Sequence, residues 1–300
     1  MLAAFLTTIL FSLSAISGRR VANHLSGTQA NLVRLIMAAL LLGTWSHLFG
    51  FGLGRVSFPI LFLSGCVGFG IGDLALFQAY PRIGTRRTSV MILCLSVPIA
   101  ALTEWAWLGN APTLAQSAYG ILILIGVGVA VAPGKADAQP IHNLPAGIFF
   151  GVLAALGQAW GAVLSRKAYV VAAEAGQTFH GAADGVNAAY QRMLGGICVT
   201  AVFFVYLKLA HKPDAERKAN WPAAWPWLAG NCLAGPAFGV TCYQWALMSA
   251  PTNIVLPIVA TTPLVVIPLA HFLEGDRITV RAVVGGALAV GGVIGLTLVK

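Results

Sequence analysis

Residues 109–126 read GNAPTLAQSAYGILILIG, and residues 275–292 read GDRITVRAVVGGALAVGG. The two stretches align at a constant offset of 166 residues (275 − 109), so one apolar, glycine-rich segment occurs twice in the chain. Self-similarity at a fixed offset indicates an internal duplication. The identical pairs include Gly109 with Gly275, Thr113 with Thr279, Gly120 with Gly286 and Gly126 with Gly292.

Weaker similarities extend the duplication upstream. Arg34 in NLVRLIMAAL resembles Arg192 in AAYQRMLGGI, and SGRRVA (17–22) resembles LSRKAY (164–169). We therefore predict a first repeat at 1–132, a linker at 133–143 and a second repeat at 144–300.

Composition places both repeats in a membrane. Of 300 residues, 58% are hydrophobic and 9% are charged, whereas soluble domains carry about 25% charged residues. The net charge of +9 comes from short basic hinges, which suit lipid headgroups, so we expect a lipid bilayer and no nucleic acid as partner. The five cysteines show no metal-ligand spacing, and we expect no cofactor or metal.

A membrane-crossing helix needs about 20 mostly apolar residues, and ten such stretches follow one another. We predict an all-α integral membrane protein in which the ninth stretch, with Pro257, Pro263 and Pro268, is bent or partly unwound. The ten stretches are 2–18, 28–49, 58–80, 88–108, 113–132, 144–165, 187–209, 224–248, 252–273 and 279–299.

Five spans per repeat would make the second repeat enter the membrane from the opposite side. Two inverted five-helix repeats are typical of secondary transporters, which hold substrate near the bilayer midplane. The odd-numbered hinges carry twelve Lys/Arg residues and define a basic face, whereas the charge-poor face carries Arg55, Arg166, Lys167 and Lys300. The positive-inside rule puts the basic face in the cytoplasm and both termini outside.

One pattern resembles a known family. It joins a proline-bearing span, a Glu/Gly turn and a glycine-rich span, as in TTPLVVIPLAHFLEGDRITVRAVVGGALAVGGVIG (261–295), and more weakly in LSVPIAALTEWAWLGNAPTLAQSAYGILILIGVG (95–128). This resembles the EamA-like branch of the drug/metabolite transporter superfamily. In the first half Glu104 lies inside the span, and Gly109 stands at the turn. Residues 170–186 form an extra segment.

The resemblance implies ten spans in two inverted halves and, for many members, export of amino acids, other metabolites or drugs. It also implies the bacterial cytoplasmic (inner) membrane. Many relatives keep both termini in the cytoplasm, opposite to the charge count, so orientation stays open at this point. We expect a secondary transporter exporting amino acids or related amines, with protons as a candidate coupling partner. Substrate identity, direction and oligomeric state stay open.

Four ionisable residues fall inside predicted spans, where charges are costly and mark functional sites. Arg34 and Asp73 lie at matching depths from the basic face, and Glu104 and Arg192 lie at matching depths from the charge-poor face. Because paired charges avoid uncompensated burial, we predict the ion pairs Arg34–Asp73 and Glu104–Arg192. They serve either as helix staples or as gating and proton-coupling elements.

Polar and aromatic residues at mid-span are candidates for lining a substrate cavity, a role that the family resemblance assigns to several of these helices. Glutamine amides both donate and accept hydrogen bonds, and aromatic rings stack on flat or cationic groups. The candidates are Ser12, Ser14, Gln78, Tyr80, Ser96, Gln158, Trp160, Tyr243, Gln244, Trp245 and Thr262.

Three alternatives follow from the same residues. Gly70-Ile71-Gly72-Asp73 matches the GxGD pattern of intramembrane aspartyl proteases, whose chemistry needs a second carboxylate sharing a proton with the first. A channel would need a selectivity filter, and the chain shows no pattern of one. A sugar-phosphate or nucleotide-sugar exchanger would need cavity lysines or arginines, and the ninth and tenth spans offer none at mid-depth. We therefore expect a transporter and no enzyme.

Overall fold

A computed structural model describes residues 1–21, 24–83, 85–131, 143–179, 181–210, 219–274 and 280–299, and all regular secondary structure in these ranges is helical. The helices are α1 (Leu2–Val21), α2 (Gly27–Phe49), α3 (Phe58–Gly65), α4 (Asp73–Ile83), α5 (Thr85–Leu108), α6 (Leu114–Val131), α7 (Leu144–Glu174), α8 (Ala182–Leu209), α9 (Trp221–Cys232), α10 (Phe238–Ser249), α11 (Thr252–Val259), α12 (Thr262–Glu274) and α13 (Val280–Leu298). Two π-helical segments, Cys66–Gly72 and Leu233–Ala237, join α3 to α4 and α9 to α10.

The helices cover all ten stretches predicted from the sequence. Four are long and apolar enough to cross a membrane by length and composition: Gly27–Phe49, Phe58–Ala79, Leu144–Glu174 and Ala182–Leu209. Five shorter helices are apolar over 10–17 residues. The membrane-protein prediction is thus supported by several helices, and the number of ten crossings stays a prediction.

Two boundaries differ from the sequence prediction by more than the usual fraying. Helix α7 continues to Glu174 instead of ending near residue 165, and α8 begins at Ala182 instead of near 187. Most of the segment at 170–186 is therefore helical. Gly176 (φ +74°) and Gly181 (φ +72°) make the turn between the two helices, because glycine adopts positive φ without a steric penalty.

The predicted break in the ninth stretch is confirmed. Helix α11 ends at Val259 and α12 begins at Thr262, because Pro263 has no N–H to donate to the carbonyl of Val259, four residues earlier. Side chains from α1 donate to carbonyls on both sides of the break. Thr8 Oγ1 donates to the Ile258 carbonyl at 3.3 Å, and Ser12 Oγ donates to the Thr262 carbonyl at 3.0 Å.

Helix pairing follows the duplication. Helix α1 of the first repeat packs on α11 and α12, and its counterpart α7 packs on α5, which corresponds to α11 and α12. Two further pairs join one helix from each repeat, α2 with α8 and α6 with α13. The π-helical segments also correspond approximately, because they begin at Cys66 and at Leu233, 167 residues apart (233 − 66), which is within one residue of the repeat offset. Two copies related by a pseudo-two-fold axis would pair in this way, and the division into repeats stays a prediction.

Glycines set the closest helix contacts. The π-helical segment Cys66–Gly72 lies against α7, where a Cβ on Gly157 would come 2.5 Å from Gly72 Cα and one on Gly161 would come 3.2 Å from Gly68 Cα. On the α8 side, a Cβ on Gly65 would overlap with the Arg192 carbonyl, and one on Gly195 would overlap with the Phe62 carbonyl. Small residues allow helix backbones in membranes to approach this closely.

Because of the close contact at Gly65, we expect a single added methyl group at this position to destabilise the protein. Gly65→Ala should lower the free energy of unfolding by about 1–3 kcal/mol, the usual cost of overpacking, because the methyl overlaps with a backbone carbonyl that cannot rotate away. Thermal unfolding in detergent measures the change.

Gly128→Ala in α6 is the matched control, since nothing lies within 4 Å of its added Cβ. It should be neutral or stabilising by up to about 1 kcal/mol, as alanine is the better helix former. Equal unfolding temperatures for the two variants would contradict the close contact at Gly65.

Candidate functional site

Arg34 and Asp73 form an ion pair in the interior of the bundle. Arg34 Nη2 lies 2.6 Å from Asp73 Oδ2, and the two side chains are 17% and 19% exposed. Asp73 is the first residue of α4, directly after the π-helical segment. Asn31 orients the arginine by accepting a hydrogen bond from Arg34 Nε at 2.9 Å, and its amide donates to the Phe69 carbonyl at 3.3 Å. The structure thus brings together the first predicted pair.

The second predicted pair, Glu104–Arg192, is wrong. Glu104 is 1% exposed and lies 3.5 Å from Arg166 Nε. It accepts a hydrogen bond from Asn110 Nδ2 at 3.0 Å, and Oε2 accepts from both the backbone N–H and the hydroxyl of Thr252. Arg166 also donates to the Leu247 carbonyl at 2.6 Å. Glu104 therefore ties α5 to α7 and to the start of α11.

Helix boundaries explain the error. Because α8 begins at Ala182, Arg192 lies ten residues (192 − 182) into the helix, or about 15 Å at 1.5 Å per residue. Glu104, in contrast, lies four residues (108 − 104) before the end of α5, or about 6 Å. Arg166 was assigned to a hinge, but α7 continues past it, and its long side chain reaches the carboxylate.

Arg192 lies at the glycine-lined junction of the π-helical segment with α7 and α8. Its guanidinium carbon is 4.7 Å from the centre of the Phe69 ring, and the residue is 4% exposed. Nε and Nη1 are buried without a hydrogen-bond partner in the described part of the chain. Arg192 is therefore a buried cation that is stacked on one face and free to donate at its edge.

A third ion pair closes the charge-poor face, and the sequence did not predict it. Arg55 Nη2 lies 3.3 Å from Asp184 Oδ1, and Arg55 Nη1 donates to the Thr178 carbonyl at 3.2 Å. The Arg55 guanidinium also stacks on Phe51 at 3.7 Å. Beneath it lies a cavity of about 10 Å³, roughly one water molecule, whose walls include Tyr169 and Gln191. Both ionic residues lie outside the predicted spans, so the search for intramembrane charges missed them.

Several predicted lining residues join helices to each other. Tyr169 donates from its hydroxyl to Gln244 Oε1 at 2.5 Å, and Tyr243 lies buried with its ring 6.1 Å from Phe11. Ser14 accepts a hydrogen bond from Asn231 Nδ2 at 3.0 Å. Ser12 and Thr262 meet at the helix break described above. These residues link α1, α7, α9, α10 and α12 by interior polar contacts.

The other predicted lining residues are scattered. Trp160 does not line the interior; it is 45% exposed on an apolar outer groove with Val67, Thr103 and Trp107. It shares the outer stripe of α7 with Phe149, eleven residues or about three turns away. Of the remaining candidates, Ser96 is buried, and Gln158 and Trp245 are partly buried. Gln78 accepts from Arg82 Nη1 at 2.9 Å. The side chain of Tyr80 lies outside the described residues.

The Glu104 cluster predicts a large loss of stability when its charge is removed. Glu104→Gln should lower the free energy of unfolding by about 3–5 kcal/mol, because breaking a buried pair leaves the other charge uncompensated. Thermal unfolding in detergent measures the loss.

Adding Arg166→Gln to Glu104→Gln should restore part of the stability, since no charge is then left unpaired. Glu174→Gln, at the exposed end of α7, is the matched control and should behave like the parent protein. A single variant as stable as this control would contradict the assigned role of Glu104.

The arrangement resembles known proteins in sequence pattern and in fold. The model of the EamA-like transporter family matches residues 1–132 and again residues 145–298. No curated protein sequence matches the chain. One solved crystal structure, described only as that of a protein, shares the fold with a TM-score of 0.75 at 17% identity, covering 99% of this chain and 95% of that chain. Because the family model matches nearly the whole chain, this integral membrane protein belongs to the EamA-like transporter family.

Proposed function

We propose that the protein exports small metabolites, amino acids or related amines, across the bacterial cytoplasmic (inner) membrane by alternating access. One observation carries the proposal: the ion pairs inside the bundle are buried to different degrees. The ionic side chains at the charge-poor face are 1–14% exposed, whereas the deeper Arg34 and Asp73 keep 17% and 19% exposure. A polar interior sealed more tightly towards one face is what one state of an alternating-access cycle requires.

Two groups of ionic contacts at the charge-poor face would have to open for a solute to pass. Arg55–Asp184 joins the segment before α3 to the start of α8, and Glu104 with Arg166 joins α5, α7 and α11. The break between α11 and α12 provides a point at which α11 can tilt while α12 stays in place. Under the positive-inside rule the sealed face is external, so this state is closed to the outside.

Asp73 is the proposed coupling residue. Its carboxylate holds Arg34 at 2.6 Å, and a proton on the carboxylate would weaken that contact by removing the negative charge. Protonation from one side of the membrane and release to the other would link the state of the pair to the proton gradient. This role depends on Asp73 being reachable by water in at least one state, which its partial exposure supports.

The alternatives have less support in the geometry. A protease would need Asp73 and Glu104 to share a proton, but Arg34 binds the first, and Arg166 with Thr252 binds the second, in a separate cluster. A sugar-phosphate exchanger would need several cations around one site. In the described interior, Arg34 is bound by Asp73 and Arg166 by Glu104.

Flux in proteoliposomes tests the proposal. The parent protein should show saturable, solute-selective uptake of an amino acid or amine, accelerated by a pH gradient. Asp73→Asn should lose the acceleration, because an amide cannot carry the proton, and should keep exchange of solute without a gradient.

Glu174→Gln serves as the control for reconstitution and should match the parent protein. If Asp73→Asn responds to the gradient as fully as the control does, Asp73 is not the coupling residue. If the parent protein moves none of the amino acids, amines or sugar phosphates in the panel, the proposed transport itself is wrong.

A further inference from the structure

Arg192 is a buried cation, and no carboxylate among the described residues forms an ion pair with it. Breaking a buried ion pair typically costs about 3–5 kcal/mol, since it leaves a charge uncompensated. Arg192 is 4% exposed, and Nε and Nη1 have no partner among the described residues. The Phe69 ring covers one face of the guanidinium and leaves its edge as the donating surface.

A comparison of the two repeats shows that Arg192 lacks the acidic partner that Arg34 has. Arg34 and Arg192 are equivalent residues of the two repeats, and Arg34 is neutralised by Asp73 on the neighbouring helix. Asp73 directly follows the π-helical segment of the first repeat, whereas residues 221–249, which contain the second π-helical segment and its flanking helices, have no Asp or Glu. The second repeat thus keeps the arginine and lacks the acid.

Asp73 does not replace the missing acid. It acts electrostatically on both Arg34 and Arg192, but its hydrogen bond goes to Arg34 at 2.6 Å. One carboxylate therefore faces two guanidinium groups, and this part of the interior keeps a net positive charge. A mobile anion is the component that would balance it.

The neighbouring polar groups are also donors. Arg192 lies within electrostatic range of the hydroxyls of Tyr243 and Tyr169. The Tyr169 hydroxyl donates a hydrogen bond to Gln244 Oε1. The Tyr243 hydroxyl and Gln244 Nε2 have no partner in the described structure. The two residues are 7% and 0% exposed. Unpartnered donors of this kind are costly and suit an acceptor-only ligand.

We propose that Arg192 binds the carboxylate of the transported substrate and that the Tyr243 hydroxyl donates a second hydrogen bond to it. The inference rests on the proposed transport function and narrows its substrates to solutes that carry a carboxylate. One guanidinium with neutral donors fits a monoanion; a phosphate dianion calls for more positive charge, and Asp73 repels it. Access runs past Tyr169 and Gln191 once the Arg55–Asp184 contact opens.

Binding in detergent tests the assignment directly. Free amino acids are compared with their amides and with the corresponding decarboxylated amines, and the thermal shift is followed against solute concentration. The parent protein should be stabilised by at least one amino acid and not by its amide or amine. Arg192→Gln should weaken binding of that amino acid by about 10- to 100-fold, the range expected for losing hydrogen bonds to a charged group.

Tyr243→Phe should weaken the same binding by roughly 2- to 10-fold, as for the loss of one neutral hydrogen bond. The control is Tyr190→Phe, because Tyr190 hydrogen-bonds His47 away from the site, and it should bind like the parent protein. Arg192→Met should unfold at a higher temperature than the parent protein when no solute is present, since it removes an uncompensated buried charge. A merely structural arginine would give the opposite shift.

Several results would overturn the inference. They are the absence of any stabilising amino acid, equal stabilisation by amides and amines, a stronger effect of sugar phosphates, or unchanged affinity in Arg192→Gln. If amino acids cross proteoliposome membranes at the same rate with Arg192→Gln as with the parent protein, transport stands and the carboxylate site fails. If the parent protein moves no solute, the failure lies with the proposed function.

Discussion

The structure depends on the close contact between the π-helical segment Cys66–Gly72 and the two helices α7 and α8. Only glycine at positions 65, 157 and 195 lets these backbones approach to the distances seen. The contact places Asp73 at the end of the segment, opposite Arg34. It also turns Arg192, whose own carbonyl lies against Gly65, into the interior.

Charges in such an interior are stable only when the surrounding groups are arranged for them. Glu104 shows one solution, since Arg166, Asn110 and Thr252 all approach it. Arg34 shows another, with Asp73 and Asn31 dividing its donors. Asn31 in turn donates to the Phe69 carbonyl, where the π-helical geometry disturbs the regular backbone ladder. Such segments occur often at functional sites because they shift side chains and carbonyls out of helical register.

Local sequence patterns predicted the features that depend on local chemistry. The apolar stretches became helices, Pro263 interrupted the ninth stretch, and Arg34 met Asp73 because both positions could be counted from clear helix ends. The same counting failed for Arg192. Arg166 and Lys167 look like the end of a span, but Arg166 stays helical and extends its side chain to Glu104 and to the Leu247 carbonyl. Long cationic side chains often bury their stems in this way.

Other features depend on contacts far apart in the chain, and no local pattern contains them. Arg55 and Asp184 are 129 residues apart (184 − 55) and meet only because α3 packs on α8. The outward direction of Trp160 depends on which face of α7 the glycines occupy. The duplication allowed the repeats to be recognised, but it cannot predict where they differ. The lack of any acid in residues 221–249 is such a difference, and it leaves Nε and Nη1 of Arg192 without a partner among the described residues. In a protein built from two similar halves, a difference of this kind is what can distinguish a binding site from a helix contact.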